Sequence, residues 1–151
     1  MKIIYHCYGG THSSVMAASL HLGILDCSRS PSKEELLACP YFDEVNSKDS
    51  GKINFVGKDD NNNEVYVMGC KSAGNIIETF AENYNRIMGY NSDDIVMADA
   101  KPCLNILMKL GGFLSRRLNL LGMGRYLLFL GSRKAFIKIQ TLVSLVKEKQ
   151  V

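Results

Sequence analysis

Apolar and polar positions along the chain fall into short blocks that alternate between strand and helix periods. Residues 2–6, with Ile3, Ile4 and Tyr5, predict a first strand. Cys7, two glycines and the run Thr11, His12, Ser13, Ser14 follow, and residues 13–25 then predict a helix. Thr11, Ser13 or Ser14 would cap that helix, because a side-chain oxygen accepts from an orphan N–H. Residues 26–33 are a polar connection, and Ser32 with Glu35 three residues on reads as a capping box. It predicts a short helix over 33–38, followed by irregular chain over 40–50.

The next pattern has period two. Residues 52–56 and 64–68 alternate on either side of Gly57 and a run of Asp and Asn, which predicts a hairpin with a long turn. After the small-residue loop 69–74, a helix is expected over 75–88, with Ile76, Ile77, Phe80 and Ile87 on its apolar face. A turn over 89–92 and a buried strand over 94–98 come next. Pro102 permits a helix over 103–121, kinked or split at Gly111 and Gly112 and ended by Gly122 and Gly124. The apolar run 126–130 predicts a last strand and residues 132–149 a last helix.

Strands alternating with helices predict an α/β fold: a single-domain three-layer sandwich whose sheet is mostly parallel, with one β-hairpin. The parallel strands would be those around Ile3, Val65, Ile95 and Leu127, with the strand around Asn54 antiparallel to its neighbour. Strand order does not follow from the pattern. The layout brings Cys7, Cys70, Cys103 and Arg133 to one rim of the sheet, since each follows a strand.

Composition narrows the class. The chain has 151 residues, 46% hydrophobic and 22% charged, which fits one globular domain with a sizeable core. Five cysteines, an odd number, and an N-terminus too short and polar for a signal peptide point to reduced thiols and a cytoplasmic protein. No stretch reaches the roughly 18 apolar residues of a membrane span. The net charge of +3 hides an asymmetry. Residues 101–151 carry ten Lys and Arg against Glu148 alone, and residues 1–100 carry eight against fourteen acidic residues. A basic third predicts contact with an anion, or else solvated helix faces.

The candidate chemistry centres on the loop after the first strand. Gly9 and Gly10 let backbone N–H groups approach an anion, and Thr11, Ser13 and Ser14 add hydroxyl donors. Lys71, after the second arm of the hairpin, adds a cation. A helix N-terminus favours an anion at such a place. The plainer alternative is a tight strand-to-helix turn that needs small residues. The nucleotide-binding GxxxxGK[ST] pattern is absent, which argues against ordinary ATP or GTP hydrolysis. In the tyrosine-phosphatase pattern an arginine lies six residues after the cysteine; here that position is Ser13. Cys7, Gly10, Ser13 and Ser14 are similar in spacing to the cysteine loop of the sugar phosphotransferase IIB proteins.

Cys7 is the candidate nucleophile and His12 its candidate acid or base, because a helix N-terminus and a protonated imidazole favour thiolate. No Asp is identifiable as an orienting partner for His6 or His12, and Cys7 reads equally as a buried small side chain. Cys7, His12, Cys70 and Cys103 lack metal-ligand spacing, so no metal or cofactor is expected. Arg116 and Arg117 sit between apolar flanks. One of them would clamp a phosphate, or the region would lie on an anionic membrane surface. Phe113 is the only aromatic in that stretch, which disfavours nucleic acid. The expected ligand is a phosphorylated small molecule or nucleotide, with phosphoryl or acyl transfer through Cys7 as its chemistry. The alternative is a non-enzymatic module whose basic third binds a membrane surface or a protein. Oligomeric state is not legible.

Three segments, HCYGGTHSS, FVGKDDNNNEVYVMG and LNILMKLGGFLSRRLNLLGMGR, together resemble the bacterial domain-of-unknown-function family 3189, small proteins of mainly Gram-positive spore formers. The resemblance implies a cytoplasmic single-domain protein and assigns no activity or site residue.

Overall fold

A computed structural model describes residues 1–44, 47–91 and 94–149. The irregular stretch expected over 40–50 and the turn expected over 89–92 include residues 45, 46 and 92, which lie outside the described residues. The chain runs β1 (Lys2–Cys7), α1 (Ser13–His21), α2 (Lys33–Ala38), β2 (Ile53–Lys58), β3 (Glu64–Gly69), α3 (Gly74–Met88), β4 (Ile95–Asp99), α4 (Ile106–Arg116) and α5 (Leu121–Glu148), with short 3₁₀ turns at Ser47–Asp49 and Lys101–Cys103. This is an α/β fold with a four-stranded mixed sheet in the order β2-β3-β1-β4. β1 pairs parallel with β3 and with β4, and β2 joins β3 as the antiparallel hairpin partner.

Alternation along β1 divides the interior in two. Ile3 and Tyr5 face the larger core, shared with Val15, Met16, Leu20, Leu128, Ala135 and Ile139 of α1 and α5. Ile4 faces a smaller cluster with Met68 and Cys70, against which Ile77 of α3 packs. The hairpin turn is tied to the larger core through a buried polar chain. Tyr5 Oη meets His21 Nδ1 at 2.8 Å, and His21 Nε2 meets Asp59 Oδ2 at 3.1 Å.

The capping box forms as expected: Ser32 Oγ accepts the Glu35 N–H and Glu35 accepts the Ser32 N–H. α1 differs. Its N-cap is His12, no side chain caps it, and it stops at His21, just before Gly23 at φ +69°.

The C-terminal half departs most from expectation. Residues 126–130 form no strand, so the sheet has four strands among the described residues. They belong to α5, a helix of 28 residues, and Arg133 therefore lies mid-helix and not at the sheet rim. A five-residue apolar run satisfies either period. The helix prevails because Gly124, Leu128, Gly131, Ala135, Ile139, Val143 and Val146 continue one buried stripe at spacings of three and four.

Gly111 and Gly112 neither kink nor split α4, which runs unbroken through both. They admit neighbours instead. A Cβ on Gly111 would lie 2.7 Å from Gly124 O and Leu128 N, and one on Gly124 2.8 Å from Ser115 Cβ. The two helices thus meet backbone to backbone. A Cβ on Gly112 would lie 3.0 Å from the His12 ring.

α3 is also turned. Ile76, Phe80 and Ile87 face outward, 73%, 66% and 78% exposed, while Gly74, Ala81 and Asn85 are buried. On the inward face Asn85 donates its side-chain N–H to Ile95 O at 3.2 Å, and Ile77 packs against the smaller cluster. Among the described residues no helix is long and apolar enough to cross a membrane.

Candidate functional site

The chain leaves β1, builds β2 and β3 on one side, and then crosses to place β4 on the other. The carboxyl end of β1 is therefore the point where the winding reverses, the usual place for a ligand crevice in an open α/β sheet. Two loops meet there. Cys70 N–H donates to Cys7 O at 3.0 Å and Lys71 N–H to Tyr8 O at 2.9 Å, so the turn before α3 rests on the turn before α1. Neither α1 nor α3 has a side-chain cap.

Cys7 ends β1 with its thiol buried. Its Sγ accepts the Gly10 N–H at 3.1 Å and lies 3.2 Å from Ser14 Oγ. Gly10 has φ +69°, and Gly9 O and C press on Gly69. Ser13 Oγ is buried without a hydrogen-bond partner. Thr11 Oγ1 donates to Tyr41 O and accepts the Glu44 N–H. Lys71 is exposed with φ +49°. The loop thus brings together Cys7, Gly9, Gly10, Ser13 and Ser14, with Lys71 adjacent.

His12 turns away from Cys7 towards Asp43, its Nε2 lying 3.2 Å from Oδ1. Asp43 is a buried hub that no sequence pattern marks. Ser115 Oγ donates to its Oδ2 at 2.6 Å and Arg125 Nε at 3.2 Å, while Arg116 donates to the backbone oxygens of Asp43 and Glu44 at 2.6 and 3.1 Å. Burial works against the charge on Asp43, but hydrogen bonds from His12, Ser115 and Arg125 hold its carboxyl at about 2. The hub therefore gives His12 the acidic partner that the sequence did not reveal. It also engages Arg116, whereas Arg117 is exposed at the end of α4.

A second cluster lies on the α3 side of the same rim. His6 is fully buried; its Nε2 stands 2.8 Å from Glu78 Oε1, and its Nδ1 stands 3.4 Å from Cys70 Sγ and 3.8 Å from Asp99 Oδ1. Lys101 Nζ lies 3.5 Å from Asp99 and packs over the Cα of Gly74, where a Cβ would meet it. Burial pulls His6 below the usual imidazole range, against the opposite pull of Asp99 and Glu78. Burial pushes the Cys70 thiol up, and Lys101 opposes it.

Of the three cysteines expected at one crevice, Cys7 and Cys70 are neighbours. Cys103 belongs to the larger core instead. Among the described residues no group of three or more His, Cys, Asp or Glu is placed to hold a metal ion. Sequence reasoning missed Asp43, Glu78, Asp99 and Lys101, because Asp43, Glu78 and Asp99 reach their histidines only through the tertiary fold and Lys101 is marked only by its neighbour Asp99.

Residues 2–148 match a family model described as "Protein of unknown function (DUF3189)". No curated protein and no solved structure matches the chain.

Proposed function

Since the chain belongs to the DUF3189 family, whose description names no activity, we propose from its own geometry that it binds a phosphorylated small molecule or nucleotide at the rim after β1. One observation carries this reading: two helices with uncapped amino ends, α1 and α3, start from hydrogen-bonded loops on neighbouring parallel strands. Unpaired N–H groups and two positive dipole ends then favour negative charge at one place. Gly9 and Ser13, whose hydroxyl has no partner in the fold, lie on one side and Lys71 supplies a cation from the other, while Gly10 and Ser14 engage the Cys7 sulfur. Transfer through Cys7, whose sulfur meets the Gly10 N–H and the Ser14 hydroxyl, extends this reading. Titration calorimetry with inorganic phosphate and with a nucleoside monophosphate tests it. Both are expected to bind, and Lys71→Glu to weaken both about tenfold, or 1.4 kcal/mol. Absent binding, or equal affinity in the variant, rejects the rim as the site.

A second reading, a non-enzymatic module on an anionic membrane surface, has its own observation. Ile106, Leu110 and Phe113 are exposed along one face of α4, and Leu118, Leu120, Leu121 and Met123 are exposed at the turn into α5. Lys109 and Arg117 flank them, giving an apolar face bordered by cations. Sedimentation with vesicles tests this. The reading expects pelleting with anionic but not neutral lipid, lost in Phe113→Glu. Equal recovery in the supernatant with both lipids removes it.

A further inference from the structure

With His6 at the centre, three residues stand in the order that nucleophilic catalysis requires. The thiol of Cys70 lies 3.4 Å from Nδ1, and the carboxylate of Glu78 lies 2.8 Å from Nε2 on the opposite edge of the ring. The negative charge of the carboxylate favours a proton on Nε2, although the contact is not aligned as a hydrogen bond, and leaves the Nδ1 lone pair facing the sulfur, whose S–H also has Cys7 O at 3.3 Å. The three residues come from different elements: the end of β1, the residue after β3 and the second turn of α3. No sequence spacing announces them.

Cys7 has no such base beside it. Strand alternation sends the His6 ring to the α3 side of the sheet while Cys7 meets Gly10 and Ser14, and His12 is bound to Asp43. We infer that Cys70 is a thiol nucleophile, His6 its general base and Glu78 the positioning residue, acting on small carboxylic esters. The inference does not depend on phosphate binding at the rim.

The step balances as follows. The Cys70 proton passes to His6 Nδ1 as the sulfur attacks the carbonyl carbon, so a C–S bond forms. The tetrahedral oxyanion collapses, the ester C–O bond breaks, and the alcohol leaves with the proton from Nδ1. Water then attacks the thioester, gives its proton to Nδ1, breaks the C–S bond and releases the acid, and the proton returns to sulfur. Two features favour the oxyanion: the uncapped amino end of α3, which begins four residues after Cys70, and the Lys101 ammonium packed against Gly74. Every charged or titratable group on the ring has a part. Glu78 and Asp99 favour the imidazolium formed in the step, Lys101 disfavours it, and Cys70 is the proton donor. Cys70 and His6 are buried, while Glu78, Asp99 and Lys101 are about a quarter to a third exposed.

The probe is para-nitrophenyl acetate with the full chain, read by nitrophenol release and by peptide mass spectrometry. An acetyl group is expected on Cys70, unaffected by Cys27→Ala at the exposed cysteine. The wild-type rate should fall on acidification through the His6 ionisation, below the usual imidazole value. His6→Gln is expected to lower the rate at pH 7 about a hundredfold and to move the pH dependence to that of the thiol itself. Because His6 is buried and its variant can unfold, Glu78→Gln provides the second test. It keeps the shape of a part-exposed side chain and should slow acetylation on the order of tenfold with an altered pH profile. Acetylation of Cys7 or Cys27 in place of Cys70 overturns the inference. So does a Glu78→Gln rate and pH profile equal to wild type.

Discussion

Replacing Gly10 with valine is expected to leave little folded protein. Gly10 holds φ +69°, a left-handed conformation that costs an L-residue about 1–2 kcal/mol and a β-branched one more. The larger effect is spatial. A Cβ at Gly10 would lie 2.8 Å from Gly69 Cα and Met68 C, and closer still to Gly69 N. These atoms are backbone of β3, held to β1 through the whole register from Lys2 to Cys7, and have no rotamer to move. Relief requires parting the two central strands. A loss above about 4 kcal/mol follows, a large share of the 5–15 kcal/mol that holds a typical domain. A valine that merely filled an open anion loop would instead block binding and spare the fold. Gly10→Ala separates the two, because the clash lies at the Cβ and alanine should be nearly as damaging. Circular dichroism and thermal unfolding of both variants decide it. Melting within about 5 °C of wild type would mean that the loop yields.

Asp43→Ala is expected to cost about 3–5 kcal/mol, because it leaves Arg125, Ser115 and His12 facing a hole where a buried carboxylate stood. The same hub sets an acid limit on stability. The folded carboxyl sits at about 2 against an ordinary value of 3.8. Its contribution is therefore complete above about pH 4 and is lost as pH falls towards 2, amounting to roughly 2 kcal/mol. Asp59 is also held at about 2, by Asn63 and His21 against its own burial, and acts with the same sign over the same range. Urea unfolding from pH 7 to pH 2 should show wild type losing stability steeply below pH 4. Asp43→Ala should be less stable throughout and lose less, since the Asp43 share no longer titrates. An equally steep acid limb in the variant would contradict the role given to Asp43.

What the sequence made legible was local. Ser32 and Glu35 specify their cap within four residues, and residues 52–68 carry the hairpin in their own alternation, so neither needs a distant partner. The glycine loop after β1 was found, but its glycines read as room for a ligand when Gly10 is in fact filled by the backbone of β3. Residues 126–130 were misread because five apolar residues carry no period of their own. The deciding signal was the stripe from Gly124 to Val146, which spans beyond any short window. α3 was assigned its inner face by hydrophobicity, yet of that face only Ile77 packs inward, beside Ala81 and Asn85, whose side-chain amide bonds to β4. Asp43, Glu78 and Asp99 gain their roles by meeting histidines that lie 31, 72 and 93 positions away in the chain.

The central position of β1 has a temporal side. Both of its neighbours, β3 and β4, are made after it, and the second is complete only at Asp99. At about 5–20 residues per second, residues 2–7 wait roughly 5–20 s on the ribosome before both edges have partners. An apolar strand with open edges invites pairing with other chains during that interval. The β2–β3 hairpin, complete at residue 69 and closed by its own short-range contacts, is the first template available to the nascent strand. α3 must then cross before β4 can seal the second edge, so the crossover is the slowest pairing this sheet makes during synthesis.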